Sequence, residues 1–251
     1  MESIVSFPLI GLGFLVVGII LMFNGRHDVR RHRRLVGLRP RSLDAAAGGP
    51  VEVQGTIVPG IAGTLRAPLS GREVVWFRIV VEEENGDDNT ETIIGESDSR
   101  EFHLDDGRGR ARIEPAGAHV VVEPETVASS GIFRDATPEL QAFLGRRGVE
   151  STGKLGFNRR LTYREERLHP GDRLLAFGTS QRHALPSPSE RDYRKPATEL
   201  VLSSGLDGDD ELILTTHSRS GLARRMLIAP LAGAIMAAVG VGLLVARLLG
   251  Q

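Results

Sequence analysis

Twenty consecutive residues near the amino terminus, Ile4–Phe23, carry no charge. As a helix they would span the roughly 30 Å hydrocarbon core of a bilayer. No Lys or Arg precedes the run and no small-residue cleavage motif follows it, so it reads as a transmembrane helix and not as a secretory signal. Pro8 falls in its first turn, where a helix tolerates it. A second apolar stretch, Met226–Leu244, predicts another membrane helix over 226–246, with Arg247 placed to reach the interface. The expected organisation is a membrane helix (4–23), a basic juxtamembrane segment and linker (24–50), a β domain (51–217), a second basic segment (218–225) and a membrane helix (226–246).

The formal net charge of −1 gives no global field that would favour nucleic acid. Basic residues are concentrated beside the apolar stretches. Arg26, Arg30, Arg31, Arg33 and Arg34, with His27 and His32, follow the first; Arg219, Arg224 and Arg225 precede the second; the amino-terminal tail offers only Glu2. The positive-inside rule then places the central domain in the cytoplasm and both tails outside. The arginines would also meet anionic headgroups, at about 1 kcal/mol each; a nucleic-acid patch is the rival reading. Small residues recur at four-residue spacing, as Ala229, Gly233, Ala237 and as Ala234, Ala238, Gly242. They suit close approach of the first span, through Gly11, Gly13 and Gly18, or of a second copy through Ala234, Ala238 and Gly242.

The sequence has no cysteine, which excludes disulfides, thiolate-held zinc, a thiol nucleophile and an iron–sulfur cluster. Of its 31 basic residues only Lys154 and Lys195 are lysine, read as base-composition bias. Plentiful Gly and Pro suit a turn-rich β domain. Val51–Val58 alternates like a half-buried strand, and the unbroken run Val74–Val81, holding the single tryptophan Trp76, reads as a strand buried on both faces. Glu82–Glu101 reads as a solvated, mobile hairpin loop, its carboxylates lacking calcium-loop spacing. Asp106-Gly107 predicts a hairpin between 101–104 and 110–113, and His119–Val122 another strand. Thr137–Arg147 predicts a short amphipathic helix with a Thr-Pro start. Pro170-Gly171-Asp172 predicts a hairpin of 161–168 with 174–179, and Asp207-Gly208-Asp209-Asp210 a turn between strands 200–202 and 211–216. Residues 183–196 form a Pro/Ser-rich loop. Seven to nine short strands and one helix argue for a mainly β, antiparallel barrel or sandwich flanked by two transmembrane helices, with an oligonucleotide-binding (OB) barrel among the alternatives.

No G-x-S-x-G elbow, phosphate loop or H-E-x-x-H occurs, and His103, His119, His169, His183 and His217 share no ligand spacing. No catalytic, metal or cofactor site is expected. The ordered motifs APLSGREVVWFRIVVEEE, FHLDDGRGRARIEPAGA and ERLHPGDRLLAFGTSQ, between two apolar spans, resemble the GIDE domain, also called BAM, "beside a membrane". The residues that carry the resemblance are Pro68, Leu69, Ser70, Gly71, Arg72, Glu73 and Trp76, then Asp106, Gly107 and Gly109, then Gly171, Asp172 and Gly178. The resemblance implies ubiquitin-protein transferase activity, since the family includes a mitochondrial outer-membrane ubiquitin ligase. Such ligases use a cysteine-liganded RING after the second span. Here seven residues follow Leu244 and cysteine is lacking, so the chain resembles a RING-less prokaryotic member. The expected function is a non-catalytic partner-binding or sensing module at a membrane surface, reached through Arg72, Glu73 and Glu82–Glu84. The alternatives are an enzyme with the family's transferase label, or an OB-like module stacking bases on Phe77, Phe102, Phe133, Phe157 or Tyr163.

Overall fold

The computed structural model describes residues 3–46, 48–85, 89–131, 135–152, 158–184, 198–204 and 211–249, without the side chains of 3–9, 27, 28, 30–36 and 247–249. In chain order the elements are α1 (Ser3–Gly37), β1 (Gly49–Pro59), β2 (Leu65–Arg66), β3 (Glu73–Val74), β4 (Trp76–Asn85), β5 (Asn89–Ser99), β6 (Phe102–Asp105) and β7 (Arg110–Glu114). They continue with β8 (His119–Val121), β9 (Glu125–Ser130), α2 (Pro138–Gly145), β10 (Leu161–Leu168), β11 (Arg173–Ala184), β12 (Thr198–Ser203), β13 (Ile213–Thr215) and α3 (Arg219–Leu249). They fall into a helical unit, up to Arg39 and from His217, and a β unit, Pro40–Thr216.

α1 does not stop at Phe23. It runs unbroken through the arginine-rich segment to Gly37, so the linker expected from residue 24 begins only after it. Asn24–Val36 contains no proline, and arginine is a good helix former. Likewise the basic residues 219–225 form the first turns of α3. Over Arg219–Ala246 α3 is long and apolar enough to cross a membrane; the apolar part found in α1 is Ile10–Arg26. One helix, not two, therefore meets the requirement for a span among the described residues.

The two helices pack antiparallel along a glycine seam. Gly11, Gly18 and Gly25 recur every seven residues, and all three are buried. A Cβ on Gly18 would lie 2.5 Å from Ala237 N and 2.7 Å from Gly233 O. One on Gly240 would lie 2.6 Å from Leu15 N, and one on Gly25 2.9 Å from Pro230 Cδ. The backbones touch where any side chain would hold them apart. Gly233 and Ala237 thus serve the α1 contact. Ala234, Ala238 and Gly242 point outward, and Gly13 also meets nothing. Away from the seam, Ile10, Leu12, Phe14, Val16, Val17, Ile19, Ile20, Met22 and Phe23 of α1 are exposed, as are Ile228, Leu231, Ile235, Val239, Val241 and Val245 of α3.

In the β unit, five strands close into a barrel in the order β1-β6-β7-β12-β11 and back to β1. All pairs are antiparallel except β7 with β12. Closure depends on β1 changing partners midway. Residues 49–56 pair with β11 and 56–59 with β6. Gly55 sits at the changeover, where a Cβ would come 2.9 Å from Asp105 O. Inward residues of these strands (Val51, Val53, Ile57, Phe102, Leu104, Ala111, Ile113, Leu174, Ala176, Leu200, Leu202) form the first core. At about 1.5–3 kcal/mol for each fully buried large aliphatic or aromatic side chain, this core is the main stabilising term. β13 and β8 extend the sheet beyond β11.

A second sheet, in the order β5-β4-β10-β9, packs one face on α2 around Val74, Phe77, Ile79, Val81, Leu140, Phe143, Leu144, Leu161 and Tyr163. Thr137 caps α2, its hydroxyl accepting from Leu140 N, and Pro138 stands at the helix start as expected.

Three expectations need correction. Residues 161–168 and 173–184 do not form a hairpin, because β10 pairs with β4 and β9 while β11 pairs with β1, β12 and β13. The Pro170-Gly171 turn passes the chain between sheets. β12 and β13 do not pair with each other; both lie on β11, at residues 179–184 and 175–177. The Glu82–Glu101 stretch is not a loop but the greater part of a long hairpin, β4 with β5. Thirteen strands among the described residues replace the seven to nine expected. β9 and β5, exposed and poor in apolar residues, account for part of the difference. The Asp207–Asp210 turn lies outside the described residues, as do Phe133, Phe157, Lys154, Lys195 and most of the 183–196 loop.

Candidate functional site

The run Val74–Val81 joins the two cores. Val74 and Phe77 belong to the second core, Val75 and Trp76 to the first. The strand breaks at Val75, whose N–H donates to Leu168 O (2.9 Å) and whose carbonyl accepts from Arg100 N (2.8 Å). That bend lets four consecutive side chains be buried in two directions. From Arg78 onward burial alternates, with Arg78 exposed and Val80 half-buried. The run is therefore buried on both sides only over 74–77, and beyond that it is half-buried.

The turn before it is held from beneath. Gly71 N donates to Ala67 O (2.8 Å) and Ala67 N to Arg72 O (2.9 Å), with Gly71 at φ +68°. Leu69 N donates to Glu165 Oε1 (2.9 Å). The Glu165 side chain is fully buried and lies 2.7 Å from Arg167, itself 6% exposed, which also pairs with Glu125. Arg72 N donates to Ser70 Oγ (3.4 Å), Glu73 O contacts His169 Nδ1 (2.9 Å), and Pro68 is exposed.

The other motif residues also build scaffold. Asp106 Oδ1 accepts from Arg108 N (2.9 Å) and Gly109 N (2.8 Å), and its Oδ2 from Leu43 N (2.8 Å). Burial alone would raise its carboxyl, but the three backbone donors outweigh it and hold the group below the usual carboxylate range. Gly107 adopts φ +81°, and a Cβ on Gly109 would press within 3.0 Å of Asp44 N. Asp172 Oδ2 accepts from His169 N (2.8 Å), while Gly171 N donates to Ile57 O (2.8 Å). Gly178 leaves room for Leu212, 2.9 Å from where its Cβ would be.

Of the acidic residues expected to face a partner, Glu82, Glu83 and Glu84 are paired, as is Glu96 farther along. Glu82 meets Arg164 (3.3 Å), Arg159 Nε donates to Glu83 (2.6 Å), Glu84 meets Arg160 (3.3 Å) and Arg147 Nη2 donates to Glu96 (2.6 Å). Hydrogen bonds from Arg159 and Arg147 lower the carboxyl pKa values of Glu83 and Glu96. Arg72 and Glu73 remain exposed.

What stays open is an edge. Among the described residues β5 pairs only with β4, so its other side is a sheet edge. Arg100 N bonds to Val75 O, and ladder alternation then turns the backbone groups of Ser97 and Ser99 outward. Ser99 N is capped by Asp98 Oδ1 (2.7 Å). Ser97–Ser99 line a groove of about 410 Å³ with Trp76, Arg78, the loop Pro115–Ala118 and the start of β8. Arg78 reaches only to 4.0 Å from Glu166, whose carboxyl burial pushes up against the pull of that arginine. This groove was not foreseen, since its edge strand lies in the stretch read as a loop.

Among the described residues no group of three or more His, Asp or Glu is placed to hold a metal. His103 contacts Glu199 (3.1 Å), which also pairs with Arg112. Phe77, Phe102 and Tyr163, suggested as stacking platforms, are buried in the cores. Arg26, Arg219, Arg224 and Arg225 lie on the two helices; the side chains of Arg30, Arg31, Arg33, Arg34, His27 and His32 are outside the description. Comparison with protein-family models, with curated proteins and with solved structures finds no match.

Proposed function

We propose that this chain is an integral membrane protein. Its helices insert together as a two-span hairpin, and its β unit is a non-catalytic, GIDE-like binding module held beside the cytoplasmic face. The exposed apolar side chains on both helices support insertion, because such a surface is stable in lipid and not in water. Leu38 and Arg39 link α1 to the β unit, and His217 and Ser218 link it to α3. The arginine flanks favour the cytoplasmic orientation.

The observation that carries the binding reading is the open edge of β5 beside the Trp76–Arg78 groove. An extended segment of a partner protein would add to β5 as a further strand, with Arg78 favouring an acidic side chain. The barrel's strand sequence, with β1, β6, β7, β11 and β12 as strands one to five, follows the order one-two-three-five-four, as in OB-type Greek-key barrels. Base stacking is disfavoured by the burial of Phe77, Phe102 and Tyr163. A RING-type transferase activity is disfavoured by the lack of cysteine.

The test is mild-detergent co-purification from native membranes with wild type and with Ser97→Pro, which removes an outward amide from the edge. The expected result is a partner that Ser97→Pro loses. Recovery of nothing but the chain itself, or equal recovery by the variant, refutes the binding edge. Ubiquitin-transfer assays should be blank.

A further inference from the structure

The groove beside β5 has a second rim. Among the described residues β5 ends one sheet and β8 ends the other. Both border the same cavity, β5 through Ser97–Ser99 and β8 through His119 and Val120. The two sheets therefore stop at one groove.

β8 runs parallel to β13, with His119 opposite Ile213 and Val121 opposite Thr215. His119 N donates to Leu212 O at 2.8 Å, and Val121 O accepts from Thr215 Oγ1 at 2.6 Å. Successive residues of a ladder turn their backbone groups to alternate sides. His119 and Val121 thus face β13, and Val120 turns its N–H and C=O the other way. On β5 the outward groups are those of Ser97 and Ser99, and Asp98 already holds Ser99 N. Each rim so offers peptide groups in ladder orientation, Ser97 on one side and Val120 on the other.

We propose that the groove takes a linear peptide segment, about three residues of extended chain, paired on one side with β5 and on the other with β8. The inference rests on the β5 reading above and names the kind of partner it admits. A strand inside a sheet has a neighbour about 4.8 Å away on each side. The edge strand of a folded partner has one row already in use, so only an isolated extended segment, a terminus or an exposed loop, serves both rims. Proline is excluded at the paired positions. A second copy of β5 is a poor occupant, since an antiparallel pair centred on Ser97 would set Glu96 against Asp98. Arg78 selects the side chain. It stands across the ladder from Ser97, is exposed, and comes only to 4.0 Å from Glu166, so an acidic residue lying beside Ser97 falls within its reach. The loop residues Ala116, Gly117 and Ala118 carry nothing larger than a methyl and leave room for the segment.

The experiment uses the full chain in detergent micelles and a pool of acetylated, amidated pentapeptides with aspartate third and the other positions randomised without proline. Peptides retained on the immobilised chain are counted by mass spectrometry against empty micelles. The parent pool should be retained at about tenfold or more over that background. In an extended pentapeptide the second and fourth amides face one side and the third and fifth the other. N-methylation of either pair removes one row, and each methylated pool should fall to background. Ser97→Pro and Val120→Pro each delete one outward amide at a sheet edge and should lose the parent pool alike, with Trp76 emission checking that the variants fold. A methylated pool that binds like the parent shows that one row suffices and overturns the double rim. Ser97→Pro then separates the readings. If it loses that pool the β5 edge stands alone, and if it keeps the pool both readings fall. No retention of the parent pool overturns the linear segment only, since a folded partner is still recovered by the co-purification above.

Discussion

Replacing Glu165 with alanine tests how the Ala67–Glu73 turn is held. The Glu165 carboxylate is wholly buried, accepts from Leu69 N at 2.9 Å and sits 2.7 Å from Arg167. Its removal leaves a guanidinium that is 6% exposed, whose other ion pair is with the surface residue Glu125. Orphaning a buried charge costs about 3–5 kcal/mol. Since Glu125 remains, the lower end applies, with about 1 kcal/mol more for the unpaired Leu69 amide. We expect a loss of about 4 kcal/mol, or about 8–16 °C in melting temperature for a unit of this size. Glu165→Gln keeps an oxygen for Leu69 and should cost less. Glu165→Leu with Arg167→Leu removes both charges and should recover most of the loss. The assay is denaturant unfolding of the detergent-solubilised chain, followed by fluorescence of Trp76, the single tryptophan, which sits in the barrel core. A cost below about 1 kcal/mol for Glu165→Ala, or a double variant as unstable as the single, would refute the reasoning.

Further expectations concern acid, the helix seam and orientation. Asp106→Asn turns an amide N–H₂ towards a backbone donor, costing about 1–3 kcal/mol at neutral pH in the same unfolding assay. Because the folded carboxyls of Asp106, Glu83 and Glu96 are lowered, their stabilisation is present above the ordinary carboxylate range and is lost as pH falls through the folded values. Glu83→Gln should therefore flatten the acid limb of a stability–pH curve, and an unchanged limb would argue against the pairing with Arg159. In this cysteine-free chain, Gly11→Cys with Leu243→Cys should oxidise to a disulfide, since a Cβ at Gly11 lies 3.3 Å from Leu243 Cβ. Gly18→Leu should abolish that cross-link by forcing the backbones apart, and a cross-link that survives would exclude the seam. Alkaline phosphatase fused near residue 153 should be inactive, and fused after Gln251 active; the reverse pattern would place the β unit outside.

Periodicity and turn chemistry made much of the β unit legible. The alternation of Val51, Val53 and Ile57, the Asp-Gly hairpin and the Thr137-Pro138 helix start each reflect a local rule that the structure keeps. What local rules do not carry is partner choice. Pro170-Gly171-Asp172 announces a reversal but says nothing of which sheet the chain enters next. β5 escaped notice because its sequence, NTETIIGESDS, is held by cross-strand pairing and by the Glu96–Arg147 contact, with little apolar patterning. The groove beside it was hidden for the same reason. The buried Glu165 could have been found: in LTYREERL the buried positions Leu161 and Tyr163 set a period of two that turns the carboxylate at 165 to the same face.

The shared run at Val74–Phe77 bears on how this protein can be cut. The second sheet is assembled from two excursions, one between β1 and β6 and one between β7 and β11, and neither can bury its apolar face without the other. The barrel in turn borrows Val75 and Trp76 from the first excursion. No internal breakpoint leaves either core complete, so a deletion meant to trim one sheet should unravel both. The β unit should melt as one cooperative body, and proteolysis under native conditions should yield either the intact unit or small peptides.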